Sequence, residues 1–339
     1  MKRVSLKDVA KEAGISPSAV SFILNGRAAE MRISKDLEKR VQAIAEQLGY
    51  VPNQVAVSLR TGQSKMLGLI VESISGHFFG LLAHIIEEEA EKAGYRLLYS
   101  STENKAKRGI DILRMFAQQQ VDGYLITPAK GMEKEIDAIA KHNKPLVLID
   151  SYFPTDKISY VSVDNYNGMT MGMNLLFEKR YKNIAFVTVD LHLVQMEERK
   201  HAFKDALKKK KVKKIDEQIV EIAYGTSQED IIRQLKKFLK TKPETDAIFF
   251  ATNYLGIAGL ECIQQMGLKM PEDIAMICFD DHDVFRLFPG GITAIQQPID
   301  EIARQSIKLI IRQLEHGRSS KSPIQRMKLR PQLIQRGST

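Results

Sequence analysis

The chain has little of what secreted, membrane-spanning or metal-dependent proteins require. Its 339 residues include two cysteines, Cys262 and Cys278, which form neither a disulfide framework nor a metal-ligand spacing. No apolar run approaches the ~20 residues that cross a bilayer, so no membrane partner is expected. The opening Met1-Lys2-Arg3-Val4-Ser5-Leu6-Lys7-Asp8 puts charge where a signal peptide carries an apolar stretch. A reducing, cytoplasmic compartment is the expectation. Catalytic signatures are missing too. The sequence holds no phosphate-binding loop, metal-ligand cluster or nucleophile motif, and its seven histidines are scattered. No metal, cofactor or catalytic residue is therefore expected, and an enzyme is the weaker class.

What is present is an ordinary globular composition, 44% hydrophobic and 27% charged, on a chain long enough for two or three domains. The net charge of +9 is unevenly spread. Residues 1–65 hold 11 Lys/Arg against 6 Asp/Glu, whereas the other 274 hold 39 against 35. A basic front end fits a polyanion partner, although an ordinary basic surface gives the same excess. The Lys208–Lys211 run reads more simply as a solvated helix end.

Local pattern sharpens the front end. Ser5 and Asp8 suit a capping box ahead of Leu6, Val9, Ala10 and Ala13, and Gly14 stops that helix after barely two turns. Ser16 caps a second helix with Pro17 at its first position, where the missing N–H costs nothing. Two short helices joined by Gly14-Ile15-Ser16 have the form of a helix-turn-helix, whose second helix can enter the major groove. A third helix opens at Ser34 and closes at Gly49. Ala10, Val20, Ile23, Val41 and Ile44 form the expected core, leaving Pro17, Ser18, Ser21, Phe22 and Asn25 outward. Phe22 either packs under the third helix or meets thymine methyl groups. Residues 51–62 are too short for a stable isolated helix. They read as a plain linker, or as a hinge helix that folds on DNA and drives Leu59, beside Arg60, into the minor groove.

Beyond Met66, short apolar runs alternate with amphipathic stretches. Leu67–Val71, Arg96–Tyr99, Asp122–Ile126, Leu146–Ile149 and 161–163 read as strands, as do Ile184–Val189, Ile219–Ile222, Ala247–Phe250 and Ile274–Phe279, with helices between them. Such alternation predicts parallel sheets covered by helices, and two consecutive sets predict two lobes with a ligand cleft at the strands' carboxyl ends.

Val4-Ser5-Leu6-Lys7-Asp8-Val9-Ala10, Gly14-Ile15-Ser16, Val20-Ser21, Leu24-Asn25-Gly26, Leu48-Gly49-Tyr50 and Pro52-Asn53 resemble the headpiece and hinge of the lactose/galactose repressor (LacI/GalR) family. The resemblance continues through Gly68-Leu69-Ile70-Val71, Val121-Asp122-Gly123, Val163-Asp164-Asn165, Ala251-Thr252-Asn253 and Phe279-Asp280-Asp281 to Arg336-Gly337-Ser338-Thr339. It implies an α/β fold: an N-terminal all-α helix-turn-helix headpiece plus a two-lobed, periplasmic-binding-protein-like core of parallel sheets flanked by helices. The implied boundaries are a headpiece at 1–50, a hinge at 51–62 and a core at 66–339. Lobe 1 takes about 66–164 and 298–325, and lobe 2 about 165–297 and 326–339.

The implied function is a dimeric transcriptional regulator, a repressor of carbohydrate-utilisation genes, that binds a pseudo-palindromic operator and answers to a small effector. DNA contacts fall on Ser5, Lys7, Ser16, Pro17, Ser18, Ser21, Phe22, Asn25, Ser34, Asn53, Ala56, Leu59 and Arg60. Effector contacts fall on Phe78, Phe79, Asp150, Glu197, Asn253, Asp280 and Gln297. Glu197 stands where the family carries a ligand-gripping arginine, and Tyr254 where an acid commonly follows the site asparagine. An acidic cleft without a cation predicts a neutral, or amine-bearing, saccharide over a sugar phosphate. Two other readings compete: control by a phosphorylated carrier protein as co-repressor, and a cytosolic sugar-binding protein or enzyme with no DNA role. The latter leaves residues 1–62 unexplained. No heptad-patterned tail follows the last strand, which favours a dimer over a coiled-coil tetramer.

Overall fold

The computed structural model describes residues 4–51, 58, 61–154, 157–315 and 323–339. Four of the DNA-contact positions, Asn53, Ala56, Leu59 and Arg60, lie outside the described residues. The chain divides into a unit at Met1–Ser64 and a larger one at Lys65–Thr339.

The described part of the small unit up to residue 51 folds as three helices, α1 (Leu6–Ala13), α2 (Pro17–Leu24) and α3 (Lys35–Gln47). Their ends are written in the sequence. The Ser5 amide donates to Asp8 Oδ2 at 2.8 Å, Ser16 Oγ accepts from the Ala19 amide at 3.2 Å, and Ser34 Oγ accepts from the Leu37 amide at 3.3 Å. Each satisfies backbone groups that a helix start leaves unpaired. Gly14 ends α1 at φ +66°, a left-handed turn that glycine adopts without a Cβ clash. Val9, Ala10, Ala13, Val20, Ile23, Val41 and Ala45 close the core. Arg40 ties α3 to the end of α1 by donating from Nη2 to the Ala13 carbonyl at 2.5 Å.

The large unit holds two six-stranded sheets built to one plan. The first comprises β1 (Met66–Val71), β2 (Arg96–Ser101), β3 (Gly123–Ile126), β4 (Leu146–Ile149), β5 (Ser159–Val163) and β11 (Arg326–Leu329). It runs β11-β5-β4-β3-β1-β2, parallel throughout. The second comprises β6 (Ile184–Asp190), β7 (Ile219–Ala223), β8 (Ala247–Phe250), β9 (Ala275–Phe279), β10 (Thr293–Gln296) and β12 (Gln332–Ile334). Its order is β12-β10-β9-β8-β6-β7, with only β12 antiparallel. Helices α4 (His77–Lys92), α5 (Ala106–Gln118), α6 (Glu133–Lys141) and α12 (Ile299–Glu315) belong to the first lobe. Helices α7 (Asn165–Glu178), α8 (Val194–Lys209), α9 (Gln228–Thr241), α10 (Asn253–Gln265) and the short α11 (Asp283–Leu287) belong to the second. The central strands are buried on both faces, as parallel sheets between helical layers must be.

One boundary moves. Residues 326–329 pair with β5 of the first sheet, so the third crossing between lobes falls at 330–331 rather than near 325. Among the described residues, no helix is long and apolar enough to cross a membrane.

Candidate functional site

The headpiece presents a polar edge. Lys7, Ser16, Pro17, Ser18, Asn25 and Ser34 are exposed, as is Ser5, while Ser21 and Phe22 are half-buried. Ser16 and Ser34 cap helix starts, where free backbone N–H groups already favour an anion. Phe22 is absent from the headpiece core; instead Arg27 lies over its ring at 5.5 Å to the centroid. Packing under the third helix is therefore not what holds this ring. The surface combines phosphate-seeking groups with one apolar ring beside a cation.

In the large unit, the same strand position generates the same feature twice. β4 and β9 hold equivalent places in the two sheets, and each is followed by an aspartate in the left-handed region, Asp150 at φ +65° and Asp280 at φ +71°. Asp150 donates its amide to the Val161 carbonyl and Asp280 to that of Ile295, both at 2.9 Å. Aspartate tolerates this backbone better than most residues, and strain of this kind collects at functional positions. Each carboxylate is gripped by a glutamine amide. Gln195 Nε2 donates to Asp150 Oδ2 at 3.1 Å, across the lobes, and Gln297 Nε2 donates to Asp280 Oδ1 at 2.5 Å.

The cation between them is Arg199, which is 1% exposed. Its Nε donates to Asn165 Oδ1 at 2.9 Å and its Nη1 to the Ala251 carbonyl at 2.6 Å. Nη1 lies 3.8 Å from Asp280 Oδ2, and the guanidinium stacks 3.6 Å from the Phe279 ring centroid. Two expectations are corrected here. Glu197 does not enter the cleft: it is exposed and sits 3.3 Å from His192 Nδ1. Nor does the cleft lack a cation. Helical spacing carries the missed signal, because Gln195, Arg199, Ala202 and Phe203 share the buried face of α8 and Glu197 does not. A surface depression of about 450 Å³ next to Glu197 lies along α8 and Tyr166, and none of its lining residues is among the strand-end groups.

Phe78 and Phe79 pack into the first lobe's apolar core, edge to face at 5.0 Å. They pack at the start of α4. The side chains brought opposite the aspartates are Glu72, just after β1, and Tyr224, just after β7. Burial pushes Glu72 up to about 7, held back by Asn104 and Tyr224 and reinforced by Glu103 and Asp280. Burial likewise pushes Asp150 up to about 7, with Arg199 opposing and Asp280 and Glu72 adding to it. Asp280 is raised for the same first reason, burial, against Arg199 and Gln297. The phenols of Tyr224 and Tyr254 are raised by burial and by Glu72. Glu72 and Tyr224 carry no mark in the local sequence; only the fold brings them together.

Several buried polar atoms at this place have no partner: Thr127 Oγ1, Gln195 Oε1, Asn253 Nδ2 and Gln297 Oε1. All belong to residues at or just beyond strand ends or helix starts. Native proteins leave few such groups, and here several concentrate at one place.

A helix-turn-helix unit followed in the chain by a two-lobed core with a polar inter-lobe cleft defines a DNA-binding regulator of the ligand-controlled class. Comparison with known proteins supports that class. Residues 5–53 match the bacterial regulatory proteins of the lacI family, and residues 173–339 match the periplasmic binding protein-like domain. The chain is 26% identical over 335 residues to the HTH-type transcriptional repressor PurR of Haemophilus influenzae (strain PittEE), covering 98% of each. It is 27% identical over 311 residues to the ribose operon repressor of Halalkalibacterium halodurans, covering 92% of this chain and 90% of that one. Its fold matches the Lac repressor dimer bound to operator and the anti-inducer ONPF, with a TM-score of 0.85, 21% identity and 99% of both chains covered. The chain thus joins a lacI-family DNA-binding domain to a periplasmic binding protein-like domain, and it is a DNA-binding transcription regulator.

Proposed function

We propose that this regulator is a repressor that binds a pseudo-palindromic operator as a dimer and is controlled by a saccharide lacking anionic groups, held in the inter-lobe cleft. The observation that carries the effector reading is the pair of strand-end aspartates surrounded by unpartnered buried amide and hydroxyl atoms. Carboxylates and amides of this kind bind sugar hydroxyls. Arg199 does not turn the cleft toward anions, because it is already engaged by Asn165, Ala251 and Asp280, and Glu72 and Asp150 add negative charge.

The dimer reading has its own support. Ile74, Leu81, Val284 and Leu287 are exposed apolar side chains, Leu287 at 78%. Their segments are brought together where His77 meets His282 across the lobes, ring centroids 4.3 Å apart. An apolar patch shared by both lobes suits a second copy of the chain. Ligand binding that favours one spacing of the lobes would then favour one spacing of the paired headpieces, which is how effector and operator become linked.

The test is a thermal-shift screen of the full chain against neutral sugars, amino sugars, sugar phosphates, purine bases and nucleosides. Saturation near 100 Kd stabilises by about 2.7 kcal/mol, which is readily seen. Stabilisation by saccharides is the expected result. Stabilisation by purines alone, the ligand class that the PurR name suggests, would replace the saccharide; stabilisation by sugar phosphates alone would overturn the argument from charge.

A further inference from the structure

The cleft holds more carboxyl groups than the described residues could neutralise if all were ionised. Glu72, Asp150 and Asp280 act on one another, and Glu103 acts on Glu72. Glu103 Oε1 is already taken by the hydroxyls of Ser73 and Ser101, at 3.0 and 3.1 Å. Arg199 is the cation acting on Asp150 and Asp280. The groups acting on Glu72 are Asn104, Tyr224, Glu103 and Asp280, none of them a cation. Closing such a cleft over a neutral ligand leaves at least two carboxyl groups uncompensated, and each must then take up a proton or stay solvated.

A second observation does not depend on charge. Gln195 is 2% exposed and Gln297 5%. Each has given its amide nitrogen to an aspartate, and the remaining oxygen of each is buried without a partner. Both orphans are acceptors, and they stand beside carboxylates that, once ionised, also only accept. Around the two aspartates the site therefore asks for donors. A sugar hydroxyl supplies one donor together with acceptors that this end of the cleft cannot use. An ammonium supplies three donors and no acceptor. Two orphan donors, Asn253 Nδ2 and Asn104 Nδ2, leave places for ring or hydroxyl oxygens further along the cleft.

Building on the proposal that a saccharide enters this cleft, we infer that the saccharide is an amino sugar. Its protonated amine sits among Glu72, Asp150 and Asp280 and donates to the amide oxygens of Gln195 and Gln297. The raised carboxyls agree with this placement, since an arriving cation would return Asp150 and Glu72 to their ionised forms and release protons.

Isothermal calorimetry on the full chain tests this with matched triplets: glucose, galactose and mannose, each beside its 2-amino and its N-acetylamino form. At least one amino sugar should bind about tenfold more tightly than both its parent and its acetylated form. Its binding should release protons, read from the dependence of the heat on buffer ionisation, and Glu72→Gln should remove most of the preference. A parent or acetylated sugar that binds as tightly as the amino form overturns the inference and leaves the saccharide reading standing. Heat from a purine base or nucleoside, with none from any sugar, overturns both.

Discussion

Replacing Arg199 with methionine should unmake the cleft more than any other single change on its surface. Methionine keeps much of the apolar stem over Phe279, so the loss isolates the guanidinium. Two acceptors, Asn165 Oδ1 and the Ala251 carbonyl, lose a buried donor, at about 1–3 kcal/mol each when nothing replaces it. Asp280 loses its counter-charge, and breaking a buried pair from one side costs about 3–5 kcal/mol. These costs overlap, because the side chains can relax and Asp280 can accept a proton, so about 3–5 kcal/mol is the expected total. For a body of this size that is a fall in the melting temperature of the large unit of roughly 6–20 °C. Calorimetric melting at pH 8 and at pH 5.5 is the assay. The loss should be larger at pH 8, where Asp280 cannot escape by protonation as easily, and Asp280→Asn in the same chain should recover part of it. Glu197→Gln is the control, exposed and expected to change stability by less than about 0.5 kcal/mol. If Arg199→Met and Glu197→Gln melted alike at pH 8, the guanidinium would not be the cation on which the cleft is built.

The ligand-free protein should lose stability as pH rises through the interval from about 4 to about 7. Asp150 and Glu72, raised to about 7, bind protons there in the folded state that the unfolded chain has released. Melting temperature should flatten above pH 7, and Asp150→Asn or Glu72→Gln should reduce the slope; a rise over that interval would contradict the assignment. In the headpiece, Phe22→Ala should erode sequence discrimination with little effect on melting, whereas Lys7→Ala should weaken all sequences alike and lower the salt slope by about one unit. Melting of the headpiece by Phe22→Ala would restore the ring to the core. Gly259→Ala should destabilise by about 1–3 kcal/mol, as overpacking does, because the new methyl would stand 2.1 Å from Phe250 Cζ; chemical denaturation checks it.

How much of this was legible depended on whether the signal was local. Helix starts were readable because Ser5, Ser16 and Ser34 cap within three residues. The buried strands were readable because parallel strands between two helical layers are apolar along their whole length. β10, β11 and β12 were not, being three or four residues long, with polar side chains in each. α12 also went unread, although Ile302, Ala303, Ile307, Leu309 and Ile310 trace a buried face. Asp150 and Asp280 were found because an acid after an apolar strand stands out. Arg199 lies two residues beyond the motif's usual position at 197, on the buried face of α8 that runs through 195, 199 and 203. Glu72 and Tyr224 could not have been paired from sequence at all. They meet only because strands of two different sheets end at one cleft.

The central claim, that this is a sequence-reading regulator working as a pair, is tested most directly by repeated selection of operators from a random duplex pool with the full chain at near-physiological salt. Convergence on one pseudo-palindrome, with two half-sites in fixed register, is the expected result. Binding without enrichment of any sequence, or enrichment of a single unrepeated half-site, would contradict it.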